Sequence, residues 1–63
     1  MNKTSLYYEK DGDKSNDLES KERSYRAAQN HLTYSSSDYL SEWTRLNKKI
    51  ISVLCKLPLI NQP

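Results

Sequence analysis

The last third of the chain carries the strongest pattern in the sequence, an apolar face that repeats with the period of an α-helix. When each residue from Asp38 to Leu57 is rotated by about 100° from the one before, the apolar side chains fall within an arc of about 160°. These side chains are Tyr39, Leu40, Trp43, Leu46, Ile50, Ile51, Val53, Leu54 and Leu57. The pattern predicts an amphipathic helix over residues 38–57, and Pro58 is expected to end it because the residue before a proline resists helical geometry.

A second helix is predicted upstream, over about residues 17–32. Asn16 followed three residues later by Glu19 resembles a capping box, and acid–base pairs spaced four residues apart favour continuation of the helix. The apolar side of this helix is narrow and consists of Leu18, Tyr25, Ala28 and Leu32. Residues 33–37 are mostly Ser and Thr, whose hydroxyls compete for backbone hydrogen bonds, so a break between the two helices is expected there.

The first fifteen residues are polar and charged, with only a small apolar cluster at residues 6–8. They contain the single glycine of the chain, Gly12, between Asp11 and Asp13, a combination typical of a turn. The sequence therefore predicts a disordered N-terminal segment over residues 1–15 and a helical domain over residues 16–60.

The expected fold class is all-α, a small helical hairpin or two-helix unit with a flexible N-terminal segment. The alternative is one long coiled-coil helix, because a column of apolar residues recurs every seven positions across the serine-rich break. That column consists of Leu18, Tyr25, Leu32, Tyr39, Leu46, Val53 and Ile60.

The small size and composition of the chain exclude several functional classes. A chain of 63 residues with one cysteine, Cys55, and one histidine, His31, can form neither an internal disulfide nor a four-ligand zinc site. No catalytic or nucleotide-binding motif is present, so we expect a protein that is not an enzyme and that uses neither cofactor nor metal. The longest apolar run, residues 50–60, is too short to span a membrane, and the polar N-terminus does not resemble a secretory signal. An intracellular, most simply cytoplasmic, protein is predicted.

The predicted C-terminal helix offers more apolar surface than the narrow upstream helix can cover. A second copy of the chain or another protein would supply the missing surface, which predicts a protein-binding, assembly or regulatory subunit that is oligomeric or bound to a partner. The predicted contact residues are Tyr39, Trp43, Leu46, Ile50, Val53, Leu54 and Leu57. Trp43 could instead fill the core of the protein itself. Asn47, the one polar residue on the apolar side, could specify the register of a helix pair, or it could be an edge residue turned toward water.

Two other functions are left open by the polar side of the same helix. Its basic residues Arg45, Lys48, Lys49 and Lys56 could contact nucleic acid, although the net charge of the chain is only +2. Alternatively, an apolar face with lysines on the opposite side could lie on a membrane surface. Both are alternatives to the binding of a protein partner.

Overall fold

The computed structural model describes residues 2–57, and these residues form three helices. Helix α1 spans Lys3–Lys14, α2 spans Leu18–Asn30 and α3 spans Tyr39–Lys56. The all-α class is confirmed, and α2 and α3 lie within two residues of the two predicted helices. Leu57 has extended backbone geometry directly after α3, as expected for the residue before Pro58. Residues 58–60 of the predicted helical domain lie outside the described residues.

Helix α1 occupies the segment that was predicted to be disordered, and the count of two helices was wrong for that reason. The helix starts at Asn2, whose side-chain oxygen accepts a hydrogen bond of 2.8 Å from the backbone N–H of Ser5. Its inward face carries Ser5, Glu9 and Gly12, all of which are buried. A face of this kind gives no apolar periodicity, which is the signal by which helices are recognised in a sequence.

Polar contacts attach α1 to α2. Hydrogen bonds join Ser5 Oγ to the backbone oxygen of Ala28 at 2.9 Å, Ser24 Oγ to Asp11 Oδ2 at 2.8 Å, and the Tyr25 hydroxyl to Asp13 Oδ1 at 2.6 Å. Among residues 2–57, every buried side-chain nitrogen or oxygen has a hydrogen-bond partner. Because each of these polar atoms has a partner, the polar inward face of α1 can be buried without an uncompensated desolvation cost.

Gly12 lies inside α1, not in the turn that was predicted for it. A Cβ atom at this position would lie 2.7 Å from Cε1 and 2.9 Å from Cδ1 of Tyr25. Carbon atoms pack at about 3.5–4.0 Å, so only glycine permits the ring to lie this close to the α1 backbone. The role of Gly12 is therefore close helix packing.

Residues 31–38 separate α2 from α3, so the alternative of one long helix is wrong. The chain reverses there, and the apolar column with seven-residue spacing folds back on itself. The core consists of Tyr25, Ala28, Leu32, Leu46, Ile50 and Val53, with Tyr8, Leu18, Tyr39 and Leu57 packed around it. The α2 members of the column thus face the α3 members within one molecule.

The three helices lie side by side with α2 in the middle. The Cα atoms extend over 40 × 23 × 13 Å. The width of 23 Å is what three adjacent helices with axes about 8–10 Å apart would occupy. An arrangement of this size encloses a small core and leaves broad surfaces of α1 and α3 in solvent.

Candidate functional site

The apolar arc of α3 is divided into two halves by the way α3 packs on α2. Leu46, Ile50 and Val53 are 0%, 4% and 5% exposed and belong to the core, and the half-buried Tyr39 and Leu57 pack against it. Five of the seven predicted contact residues therefore serve the fold of the molecule itself. The buried side chains of Leu46, Ile50 and Val53 make these contacts within the molecule.

The other half of the arc remains in solvent after the core has formed. Leu40 is 71% exposed, Trp43 38%, Ile51 51% and Leu54 40%. Together with the half-buried Asn47 they follow one another at intervals of three or four residues, and so form a continuous line along α3. We call this line the outer stripe; it consists of Leu40, Trp43, Asn47, Ile51 and Leu54.

The outer stripe contains two of the predicted contact residues, Trp43 and Leu54, and two apolar residues that were left out of that set. Leu40 and Ile51 lie at the edge of the arc farthest from the column Tyr39–Leu46–Val53. Because the column packs on α2, apolar residues on the far side of the arc from the column are the ones expected to remain exposed.

A shallow groove borders the outer stripe at the N-terminal end of α3. Its volume is about 610 Å³, and it is lined by Ser37, Leu40, Ser41, Thr44, Arg45 and Lys48. The lining combines one large apolar side chain with short hydroxyl side chains and two cations. An open groove of this composition can receive an apolar side chain from a partner beside a polar rim.

Acidic side chains of α1 form ion pairs with part of the predicted basic face of α3. Glu9 forms ion pairs with Arg45 and, at 2.8 Å, with Lys49, and Asp13 lies 3.1 Å from the Lys49 nitrogen. The Lys49 nitrogen also lies 5.4 Å from the ring centroid of Tyr25, within reach of a cation–π contact. Two of the four predicted nucleic-acid or lipid contacts, Arg45 and Lys49, therefore connect α3 to α1.

The remaining two, Lys48 and Lys56, are exposed on α3. They are eight residues apart, which corresponds to about 12 Å along the helix. Of the four basic residues predicted on this face, two are thus exposed but separated, and the other two form ion pairs with carboxylates of α1.

The ion network shifts the pKa values of its members. Burial raises the pKa of Glu9, but the hydrogen bonds and charges of Lys49 and Arg45 outweigh burial and hold that pKa below its ordinary value. The hydrogen bond from the Tyr25 hydroxyl, and then that from Lys49, lower the pKa of Asp13. Burial lowers the pKa of Lys49, yet its carboxylate partners raise it overall, and burial raises the pKa of Tyr25. At neutral pH the network is therefore fully charged, apart from the neutral tyrosine.

We predict that the network makes stability fall in acid. A carboxylate whose pKa is lower in the folded than in the unfolded chain stabilises the fold above its ordinary pKa, and this contribution is lost as the pH falls. Glu9→Gln should lower the free energy of unfolding at pH 7 by about 1–2 kcal/mol, allowing for the solvent around Arg45 and Lys49. It should also flatten the decline in melting temperature between about pH 5 and pH 3.

Glu19→Gln is the matched control, because Glu19 is an exposed acid in the first turn of α2. Thermal unfolding followed by circular dichroism at each pH makes the comparison. A Glu9→Gln variant with the same acid dependence as the wild type would show that the ion network does not couple α1 to α3.

Two other kinds of feature, a metal site and a membrane-spanning helix, are absent from the part of the chain that the structure describes. Among residues 2–57, no group of three or more His, Cys, Asp or Glu side chains is placed to hold a metal ion. Within that range no helix has the length and apolar character needed to cross a membrane. Cys55 is exposed and unpaired on α3.

Comparison with known proteins identifies no relative. No protein-family model matches the sequence, and no curated protein or solved structure is significantly similar to it. The outer stripe and the charges around it are the features of this chain that bear on its function.

Proposed function

We propose that this protein is a non-catalytic binding module that attaches to another protein chain through the outer stripe of α3. The observation that carries the proposal is the exposure of four large apolar side chains on one helix face after the core has formed. Single exposed apolar residues are ordinary on protein surfaces, whereas a contiguous set with a polar rim is typical of a binding surface.

The composition of the stripe supports attachment to a protein. Trp43 lies between Leu40 and Asn47, and tryptophan is the residue type most often found to dominate binding energy at protein interfaces. Ser41, Thr44 and Lys48 form a polar rim on the groove side of the stripe. An apolar centre with a hydrated polar border is the usual anatomy of a protein interface.

The two alternatives have weaker physical support. Affinity for nucleic acid grows with the number of phosphates that free cations can neutralise, and Arg45 and Lys49 already face Glu9. Attachment to a membrane surface would use the same stripe, with Lys48 and Lys56 placed toward lipid headgroups. Steep salt dependence of duplex binding would favour the former, and helicity or affinity that increases with anionic vesicles would favour the latter.

Site-specific photocrosslinking in the producing cells tests the proposal. A photoreactive phenylalanine derivative placed at Leu40 or Ile51 should yield adducts with a protein chain, because both side chains lie on the stripe and are more than half exposed. The matched position is Arg23, which is exposed on α2. The yield of adducts from the two stripe positions should exceed the yield from Arg23, because only the stripe positions would lie in the contact.

A second substitution in the same experiment tests whether the adducts depend on the outer stripe. Ile51→Asp should abolish crosslinking from position 40, because burial of a carboxylate in an apolar interface is costly. Equal yields from Arg23 and the stripe, or yields unaffected by Ile51→Asp, would exclude the outer stripe as the binding surface.

A further inference from the structure

The outer stripe has the same spacing of apolar side chains when it is read in either direction from Asn47. Leu40 and Leu54 lie seven residues before and after Asn47, and Trp43 and Ile51 lie four residues before and after it. All four are exposed and apolar, and Asn47 is half-buried at the centre. A surface with this arrangement is complementary to its own copy when the copy runs in the opposite direction.

We propose that the chain bound at the outer stripe is a second copy of this protein, with the two α3 helices packed antiparallel about a two-fold axis at Asn47. This inference rests on the proposed function and names the partner. A two-fold interface is isologous, so each contact occurs twice. Leu40 then faces Leu54 of the second copy, Trp43 faces Ile51 of the second copy, and the two Asn47 side chains meet on the axis.

Asn47 lies at the centre of the stripe, where a second copy would bring its own Asn47. Its side chain makes no hydrogen bond with any residue that the structure describes, although its surroundings on α3 are apolar. A carboxamide carries both a donor and an acceptor, so two copies related by a two-fold axis can satisfy each other. A single asparagine in an apolar helix seam is a known means of selecting one register and one oligomeric state.

The width of the apolar arc on α3 also fits a second helix neighbour. In helical projection, the core side chains and the outer stripe point in directions about 80–90° apart. That is the geometry of a helix at the corner of a bundle, which packs against one neighbour on each of two adjacent sides. Helix α2 occupies one of these sides, and α3 of the second copy would occupy the other.

The antiparallel orientation is favoured over the parallel one by size and by electrostatics. It pairs the largest side chain of the stripe, Trp43, with the smaller Ile51, and it opposes the helix dipoles. It also brings Leu54 of the second copy beside Leu40, at the border of the 610 Å³ groove. A parallel pair would instead place Trp43 against Trp43 of the second copy.

The exposed area is sufficient for a weak dimer. The solvent-exposed parts of the four apolar side chains amount to roughly 400 Å² per copy, within the range of the largest patch on a typical monomer. With the polar rim, two copies would bury about 1,200 Å², which is near the lower limit for specific interfaces. Interfaces near this limit belong mostly to weak complexes, so we expect a dissociation constant in the micromolar range.

Sedimentation of the full chain under reducing conditions, from about 1 to 500 µM, tests the dimer against that expected constant. The wild type should pass from monomer to dimer, and Ile51→Asp should raise the dissociation constant at least about thirtyfold because an interface carboxylate is left unpaired. Ser52→Asp is the matched control, since Ser52 is the next residue on α3, is exposed and lies off the stripe. It should leave the dissociation constant within about threefold of the wild-type value.

A charge swap tests the orientation. Leu40→Glu and Leu54→Lys should each weaken the dimer at least about tenfold, whereas the double variant should recover to within about threefold of the wild type. The two positions are about 21 Å apart along one helix, so recovery requires contact between copies.

The outcomes separate this inference from the proposed function. A chain that remains monomeric at 500 µM, but whose stripe crosslinks to a different protein, overturns the dimer and leaves the proposed function in place. A dimer that Ile51→Asp does not weaken overturns the two-fold contact at Asn47. A charge-swapped double variant that is as weak as either single variant, or weaker, overturns the antiparallel orientation.

Discussion

Leu46→Ala is expected to unfold much of the protein at room temperature, whereas the same change at Leu40 should leave its stability almost unchanged. Leu46 is fully buried between α3 and α2, and Leu40 is mostly in solvent on the same helix. Truncation of a buried leucine costs about 2–5 kcal/mol, because packing contacts are lost and a cavity remains. A domain of this size is stabilised by only about 3–5 kcal/mol in total, so the loss is comparable to the whole.

Urea unfolding followed by circular dichroism measures both variants. The free energy of unfolding should fall by at least about 2 kcal/mol for Leu46→Ala and by less than about 0.5 kcal/mol for Leu40→Ala, measured at low micromolar concentration so that association does not contribute. The pair is chemically matched, so helix propensity changes equally in both. Similar losses at the two positions would mean that the outer stripe, too, lies inside the folded molecule.

Gly12→Val should produce the second large loss of stability, about 2–3 kcal/mol by the usual cost of overpacking. The new Cβ atom would overlap the ring of Tyr25, which is buried and whose hydroxyl is hydrogen-bonded to Asp13. The ring cannot retreat without breaking that bond or displacing α2. Removal of a glycine from a helix normally stabilises it by up to about 1 kcal/mol, so a net loss would show that packing outweighs propensity.

Lys10→Val supplies the control, because Lys10 is exposed on α1 two residues away. It places the same side chain in the same helix without a neighbour to overlap, and its effect should stay within about 0.5 kcal/mol. Thermal or urea unfolding of the two variants gives the comparison. If Gly12→Val is as stable as the wild type, α1 does not pack against Tyr25 as described.

Both predictions depend on which side chains of a helix face the neighbouring helices. The bounds of α2 and α3 could be predicted because apolar spacing, break-forming serines and Pro58 are local signals that act within a few residues. Helix α1 could not, because Ser5, Glu9 and Gly12 become an inward face only when Ala28, Tyr25 and the cations of α3 lie opposite them. Its one local signal was Asn2, which caps the helix through Ser5.

The apolar column with seven-residue spacing is a second case in which a local pattern allows two structures. In a long coiled coil the members of the column would lie along one seam, and in a hairpin its two halves face each other. The first half is Leu18 and Tyr25 on α2 with Leu32 just beyond its end, and the second half is Tyr39, Leu46 and Val53 on α3. The same periodicity serves both, because each structure buries the same side of the helix. The break at residues 31–38 selects the hairpin.

The sequence by itself determined that residues 39–56 form a helix with a wide apolar side, since backbone geometry and the spacing of side chains are enough to define a face. Only the tertiary structure decided which part of that side is core and which part is surface. Ile50 is buried and the adjacent Ile51 is half exposed, although the two differ by only one step of the helix. The periodicity of a helix defines the direction of its apolar side chains, but the position of its neighbours decides which of them are removed from water.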